Sequence, residues 1–168
     1  MPMKNNVIET EIANYAVDYR ERHYRLAYSY VKNVDDALDI VQESTFKAIS
    51  SANALKNPSY IKTWFYRIIV NTSLDFLRKE GRVRPTEDEL LEFLNSQVVD
   101  NYKDFDLEEA LDRLPDEHRI IVVLRFFEDL KLKEIADILD ENINTVKTRL
   151  YKSLELLRVE LKYYQEGA

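Results

Sequence analysis

The chain of 168 residues has no cysteine, two glycines, four prolines and two histidines. Without cysteine there is no disulfide frame, no thiolate zinc site and no cysteine nucleophile, a composition that fits a reducing cytoplasm. So few glycines and prolines leave little turn material for a β-rich fold and no glycine loop to cradle a phosphate. The two histidines, His23 and His118, sit in ordinary helical contexts. No catalytic or metal-ligating constellation forms around them, so the reading is a protein that is not an enzyme, with no cofactor and no metal site. No apolar stretch approaches the roughly 18 residues that a membrane span needs. Met1-Pro2-Met3-Lys4-Asn5-Asn6 lacks the apolar run of a signal peptide. What the chain does have is core material: 45% hydrophobic residues, with eleven tyrosines and seven phenylalanines. The expected fold is all-α, built as two small helical domains joined by a flexible acidic linker.

The net charge of −7 argues at first against a nucleic-acid partner, but its distribution reverses that reading. Between Glu80 and Glu109 ten acidic residues face three basic ones, which accounts for the whole excess. Thr145 to Lys162 carries five basic and two acidic residues, and Tyr60 to Arg84 six basic and two acidic. Two basic segments therefore flank an acidic connector, a better pointer to DNA than total charge.

Apolar residues at three- and four-residue steps predict one helix or a helix pair over Val7 to Val31, interrupted at Asn33. Asp35 and Asp36 open the next helix, where carboxylates favour an N-terminus, and its buried stripe is Ala37, Ile40, Val41, Ser44, Thr45 and Ala48. A polar loop follows from Ser50. Asn57-Pro58 is a helix start, Asn as cap and Pro at the first position. That third helix runs to about Lys79 with Ile61, Trp64, Phe65, Ile68, Ile69, Thr72 and Phe76 inward. The first domain is placed at residues 7–80 and the linker at 81–103. Thr86 and Glu89 have capping-box spacing, so Glu87 to Leu94 is a candidate short helix. The acidic connector is either a solvated tether or a mimic of DNA that shields a basic surface.

The second domain is placed at residues 104–162. Phe105 to Leu114 and Pro115 to Phe127 form two amphipathic helices. Leu130 to Leu139 is a short support helix, Asp140-Glu141-Asn142-Ile143 a turn, and a last helix begins at Asn144 or Thr145. This is the pattern of a helix-turn-helix, whose second helix reads the major groove. Asn144 is the expected cap, suited to left-handed backbone. Val146, Leu150, Leu154, Leu157 and Leu161 form the buried stripe. Lys147, Thr148, Tyr151 and Lys152 are then left on the open side, and Arg149 on a flank. Cations on one helix face are also what a plain solvated helix shows. It is the support helix, turn and cap together that point to DNA.

At these residues the chain resembles the extracytoplasmic-function group of bacterial sigma-70 factors, which give RNA polymerase its promoter specificity. Asp35-Asp36-Ala37-Leu38-Asp39-Ile40-Val41-Gln42-Glu43-Ser44-Thr45-Phe46 and Trp64-Phe65-Tyr66-Arg67-Ile68-Ile69-Val70-Asn71 carry the first half of the resemblance. Leu114-Pro115, Glu134-Ile135-Ala136 and Asn144-Thr145-Val146-Lys147-Thr148-Arg149-Leu150 carry the second, and the match runs from about residue 10 to residue 160. The segments Tyr24 to Asn33 and Phe126 to Leu132 resemble the sigma-V-like, envelope-stress subgroup.

The resemblance implies region 2 in the first domain and region 4 in the second. Asp36, Asp39, Gln42, Glu43 and Phe46 match the surface that docks on the coiled coil of the polymerase β′ subunit; a solvated acidic face is the plainer alternative. Asn71, Asp75, Arg78 and Lys79 match the part that reads and opens the minus-ten element, with Asn53 and Asn57 in the loop that captures an everted base. Trp64 and Phe65 are either stacking groups or core. In the last helix Asn144, Thr145, Lys147, Thr148 and Tyr151 match the minus-thirty-five reader, and Arg149 and Lys152 its phosphate contacts. The family often has Gly at Asn144 and Ser or Thr at Lys131, where this chain departs from it. Lys147 stands for a commoner Arg, which loses bidentate guanine reading. The implied partners are core RNA polymerase through its β and β′ subunits, promoter DNA and an anti-sigma factor anchored in the membrane. No small-molecule substrate is implied, and the place of action is the cytoplasm, at the inner face of the membrane while the anti-sigma holds it. A stand-alone helix-turn-helix regulator is the alternative. It would need a dimer interface, for which no heptad is present, and would leave the first domain without a purpose.

Overall fold

The computed structural model describes residues 2–81 and 107–166, and side chains within 6–81 and 109–158. The described residues form α1 (Pro2–Asp18), α2 (Arg20–Val31), α3 (Val34–Ser50), α4 (Ile61–Lys79), α5 (Leu107–Arg113), α6 (Asp116–Val122), α7 (Leu132–Leu139) and α8 (Ile143–Glu166). The candidate helix over Glu87 to Leu94 and the acidic connector fall outside them.

The first segment is a pair of helices, broken at Tyr19. A left-handed Lys32 (φ 53°) closes α2. Asn33 then sits in extended backbone and its side chain accepts the Asp36 N–H at 3.0 Å, so the residue that interrupts the apolar pattern is the cap of α3. Ala37, Ile40, Val41, Ser44 and Ala48 turn inward as their spacing predicts. In the loop beyond, Ala52 and Leu55 are buried, and a 3-10 turn over Pro58–Tyr60 leads into α4.

Helix α4 is buried on a wider and rotated face. Phe65, Tyr66, Ile69, Val70, Thr72, Ser73 and Leu77 are buried, whereas Ile61, Trp64, Ile68 and Phe76 are only partly so. The reason lies in the second half of the chain. α4 packs against α7 as well as against α2 and α3, and α2 packs against α6. One hydrophobic cluster runs from Ile12 and Leu26 through Ile69 and Leu77 to Ile120, Leu124, Ile135 and Val146. A smaller one joins Ala110, Leu111, Leu114 and Val122 to Leu156 and Leu157 of α8.

After α6 the backbone widens into a π turn over Val123–Phe127, with the Glu128 N–H donating to the Val123 carbonyl at 3.0 Å. A left-handed Asp129 (φ 53°) follows, and the chain turns back into α7. The widened turn directs the Glu128 side chain toward the first domain rather than into water.

Candidate nucleic-acid interface

Three exposed surfaces emerge from this fold. The first is the outer face of α3. With the apolar stripe turned in, Asp39, Gln42, Glu43 and Phe46 are exposed and Asp36 is half-buried, all on one side of the helix. Phe46 is 72% exposed, an unusual position for a large aromatic with core available beside it. Glu43 pairs with Lys47 at 3.3 Å across one helical turn. An acidic face around an apolar anchor can meet a basic partner helix and fix its register.

The second surface is the far end of α4 with the loop before it. Asn71, Asp75, Arg78 and Lys79 are exposed, and Asp75 lies 3.6 Å from Arg78. Asn53 is exposed on its 3-10 turn. Asn57 is exposed too, but its side-chain oxygen accepts from the Ser59 N–H (3.1 Å) and hydroxyl (2.9 Å), so that oxygen caps the turn before α4. Phe65 is fully buried and stacks on His23 (centroids 4.4 Å, planes 7° apart), which makes it core, while Trp64 is half-buried.

The third surface is the helix-turn-helix of α7 and α8. Ala136, the small residue expected where the two helices meet, is buried on α7 at 7% exposure. The cap of α7 is partly replaced: the Glu134 carboxylate accepts the Lys131 N–H at 3.0 Å. The turn differs from expectation in detail. The left-handed residue is Asp140 (φ 53°), and Asn142, not Asn144, caps α8, its side chain accepting the Asn144 N–H at 2.8 Å. The helix begins at Ile143, so Asn144 lies inside its first turn and needs no left-handed backbone. Spacing alone could not choose between two asparagines two residues apart.

Lys147, Thr148 and Tyr151 are exposed on α8, as are Asn144 and Thr145. Asn144, Thr145, Thr148, Arg149 and Lys152 line a shallow groove of about 450 Å³. Arg149 is half-buried beside Glu141, at 3.9 Å. Behind this face, His118 Nδ1 lies 2.7 Å from Ser153 Oγ, tying α6 to the back of α8. Val146 and Leu150 are buried as the stripe predicts, and Leu156 joins Leu157 at the far end.

Sequence reasoning missed the seam between the two halves. Glu128 is fully buried, yet its carboxylate accepts from Arg25 Nη2 (2.9 Å) and Nε (3.2 Å) and from the Tyr66 hydroxyl (2.5 Å). Arg119, 1% exposed, donates to the Ser29 carbonyl through Nε (2.7 Å) and again through Nη2, and to Asp116 at 2.7 Å. Lys32 Nζ donates to the Asp112 carbonyl at 2.7 Å. Burial, and then the bond to Glu128, push the Tyr66 hydroxyl well above the usual tyrosine range. Burial also lowers the Lys32 ammonium. Two charges embedded in apolar runs, Arg119 before Ile120-Ile121-Val122 and Glu128 after Phe126-Phe127, were the only signal available in the sequence.

No group of three His, Asp or Glu side chains among the described residues could hold a metal ion. Nor is any described helix long and apolar enough to cross a membrane.

Comparison with known proteins adds an independent line. Residues 16–83 match the family model of sigma-70 region 2, and residues 104–157 that of sigma-70 region 4. The chain is 59% identical to the RNA polymerase sigma factor SigV of Bacillus subtilis over 144 residues, covering 86% of this chain and 87% of that one. It is 30% identical to the ECF sigma factor SigW of the same organism, covering 86% and 85%. Among solved structures, the sigma factor RpoE of Bartonella quintana in complex with the anti-sigma factor NepR superposes with a TM-score of 0.67 at 22% identity, over 89% of this chain and 97% of that one. CnrH in complex with the cytosolic domain of CnrY gives 0.64 at 18%, over 90% and 87%. These last two likenesses speak to the fold.

Proposed function

The chain belongs to the extracytoplasmic-function sigma factors of the sigma-70 family, and from that premise we propose how its surfaces divide the work of promoter-specific transcription initiation. Residues 7–80 act as region 2, 81–103 as the linker and 104–162 as region 4. The outer face of α3, with Asp36, Asp39, Gln42, Glu43 and Phe46, binds core RNA polymerase at the β′ coiled coil. The exposed end of α4, with Asn71, Asp75, Arg78 and Lys79, engages the minus-ten element as it opens. Asn53 and Asn57, on the loop before α4, take up a base everted from that element. Lys147, Thr148 and Tyr151 read the minus-thirty-five element from the major groove, and Arg149 and Lys152 hold its phosphates.

The observation that carries this reading is the exposed α8 face beside a capped helix-turn-helix, in one chain with an acidic α3 face that leaves Phe46 in solvent. Each DNA-reading unit alone has few cations, so affinity comes from linkage: polymerase holds both at once, which raises the effective concentration of the second. That is how a chain of net charge −7 works on DNA. The protein acts in the cytoplasm, on envelope-stress promoters. It is restrained at the inner face of the membrane by an anti-sigma factor that covers these same surfaces, a restraint in keeping with the relatives solved with anti-sigma partners.

Run-off transcription with purified core polymerase tests the proposal. Adding the protein gives promoter-dependent transcripts from templates of its own genome. If none appears on any template while the protein still binds a palindromic site as a dimer, the stand-alone regulator replaces this reading.

A further inference from the structure

The support helix of the helix-turn-helix begins at a residue that cannot cap it. A capping side chain must accept a hydrogen bond from the first turn, which is why Ser, Thr, Asp and Asn favour that place. Lys131 holds the N-cap position of α7 in extended backbone (φ −75°, ψ 153°), and its side chain ends in an ammonium that can only donate. The helix start is satisfied from the other side: the Glu134 carboxylate turns back and accepts the Lys131 N–H at 3.0 Å. The side chain at position 131 is therefore relieved of any duty to the helix.

The fold alone disfavours a cation there. The free N–H groups of a helix start carry partial positive charge, and an added ammonium is repelled by them. No ion pair offsets this. Lys131 is exposed and makes no ion pair among the described residues, while Glu134 uses its carboxylate on the backbone. The segment that carries Lys131 is nonetheless fixed. Leu130 is fully buried, its N–H donates to the Leu124 carbonyl at 3.1 Å, and its own carbonyl accepts from Arg125 Nη1 at 3.3 Å. A lone cation is thus set on a firm base at the start of the first of the two helices. In a helix-turn-helix that helix crosses the DNA backbone while the second enters the groove. The face of α8 leaves room for a further phosphate contact, since Arg149 is half-buried beside Glu141 at 3.9 Å.

We propose that Lys131 is a phosphate contact of the minus-thirty-five reader, set at a position from which Glu134 has taken over the cap. It holds the backbone of duplex DNA beside the groove that α8 enters, adding affinity and register without reading a base. The proposal rests on the region 4 reading above. A charge that the free helix disfavours becomes favourable on a polyanion, so fold stability and DNA affinity pull position 131 in opposite directions.

Lys131→Ser separates the two. Serine restores an accepting cap beside Glu134 and removes the repelled charge, so the thermal midpoint of the full-length protein should rise by about 2 °C. In complex with core polymerase, the same variant should bind duplex DNA carrying the upstream element several-fold more weakly at about 0.1 M salt. The slope of log affinity against log salt should shrink by about 0.9. The loss should be alike on every upstream sequence. Lys131→Arg keeps the charge and should keep the slope. A serine variant with the wild-type slope overturns the proposal. So does a loss confined to one base sequence, or an arginine variant whose slope falls as far as that of the serine variant. A midpoint that drops together with affinity makes Lys131 a structural residue and overturns it as well. If the wild-type complex shows no dependence on any upstream element, the region 4 reading fails and takes the proposal with it. If that dependence is present and the slope of Lys131→Ser is unmoved, the proposal fails alone.

Discussion

Ser153 of the recognition helix is held by His118 of α6: Oγ lies 2.7 Å from His118 Nδ1 and 2.6 Å from the Arg149 carbonyl. The carbonyl can only accept, so the hydroxyl donates to it and accepts from an Nδ1–H, which assigns the tautomer of His118. Both side chains are buried. They fix the roll of α8 and thereby which residues face out. Ser153→Ala should lower stability by about 1–3 kcal/mol, because the buried imidazole N–H loses its near acceptor and keeps only the Arg149 carbonyl at 3.4 Å. Urea unfolding measures it. A loss below about 0.5 kcal/mol would mean that packing alone sets the roll.

Lys147 and Lys152 should separate by role. Lys147→Ala is expected to change base preference at the upstream element. Lys152→Ala is expected to weaken all sequences alike and to lower the salt slope by about one. Binding titrations of the polymerase complex against a panel of upstream elements, at several salt concentrations, distinguish the two. Equal effects of both variants on every sequence would refute the division.

Phe46 touches no core and should therefore matter only to a partner. Phe46→Ala is expected to leave the thermal midpoint within about a degree. Affinity for core polymerase should fall at least tenfold, as for an aromatic anchor at the centre of an interface. Fluorescence anisotropy with labelled protein reads the affinity. A retained affinity would remove α3 from the docking surface.

His23 gives the fold an acid sensitivity. Burial, reinforced by the Arg22 charge, pushes its imidazole down to about 4, and neither ring nitrogen has a hydrogen-bond partner. The folded state holds the neutral ring, while the unfolded chain takes up a proton near the ordinary 6.5. Stability is therefore complete above that pH. It falls as pH drops from 6.5 toward about 4, by about 1.4 kcal/mol per unit, and then levels. His23→Phe, a ring of similar shape against Phe65, should flatten this part of the curve relative to wild type. Parallel curves for the two proteins would exclude His23 as the source.

Much of this was legible in the residues themselves. The α3 stripe from Ala37 to Ala48, the start of α4 after Asn57-Pro58, and the helix-turn-helix follow from local periodicity and capping, which depend on neighbours within a turn or two. The exposed faces of α3, α4 and α8 follow as complements of those stripes. Tyr66 and Val70 were missed because what buries them lies some fifty or more residues away, across the acidic connector. Glu128 was missed for the same reason. A carboxylate at the end of an apolar run reads as a solvated turn until its guanidinium partner, 103 residues distant, is placed beside it. The cap of α8 was misplaced by two residues, since Asn142 and Asn144 are chemically equivalent and only backbone geometry separates them.

The unbroken core from Ile12 to Val146 has a consequence for cooperativity. With the seam closed, both halves share one apolar interior and should unfold in a single transition, as one larger domain would. With the seam open, each half keeps only a small interior, and small interiors are marginal. With the seam closed, as in the structure, the protein should be robust and resistant to protease. A chain whose seam were held open would lose both properties in its two halves at once.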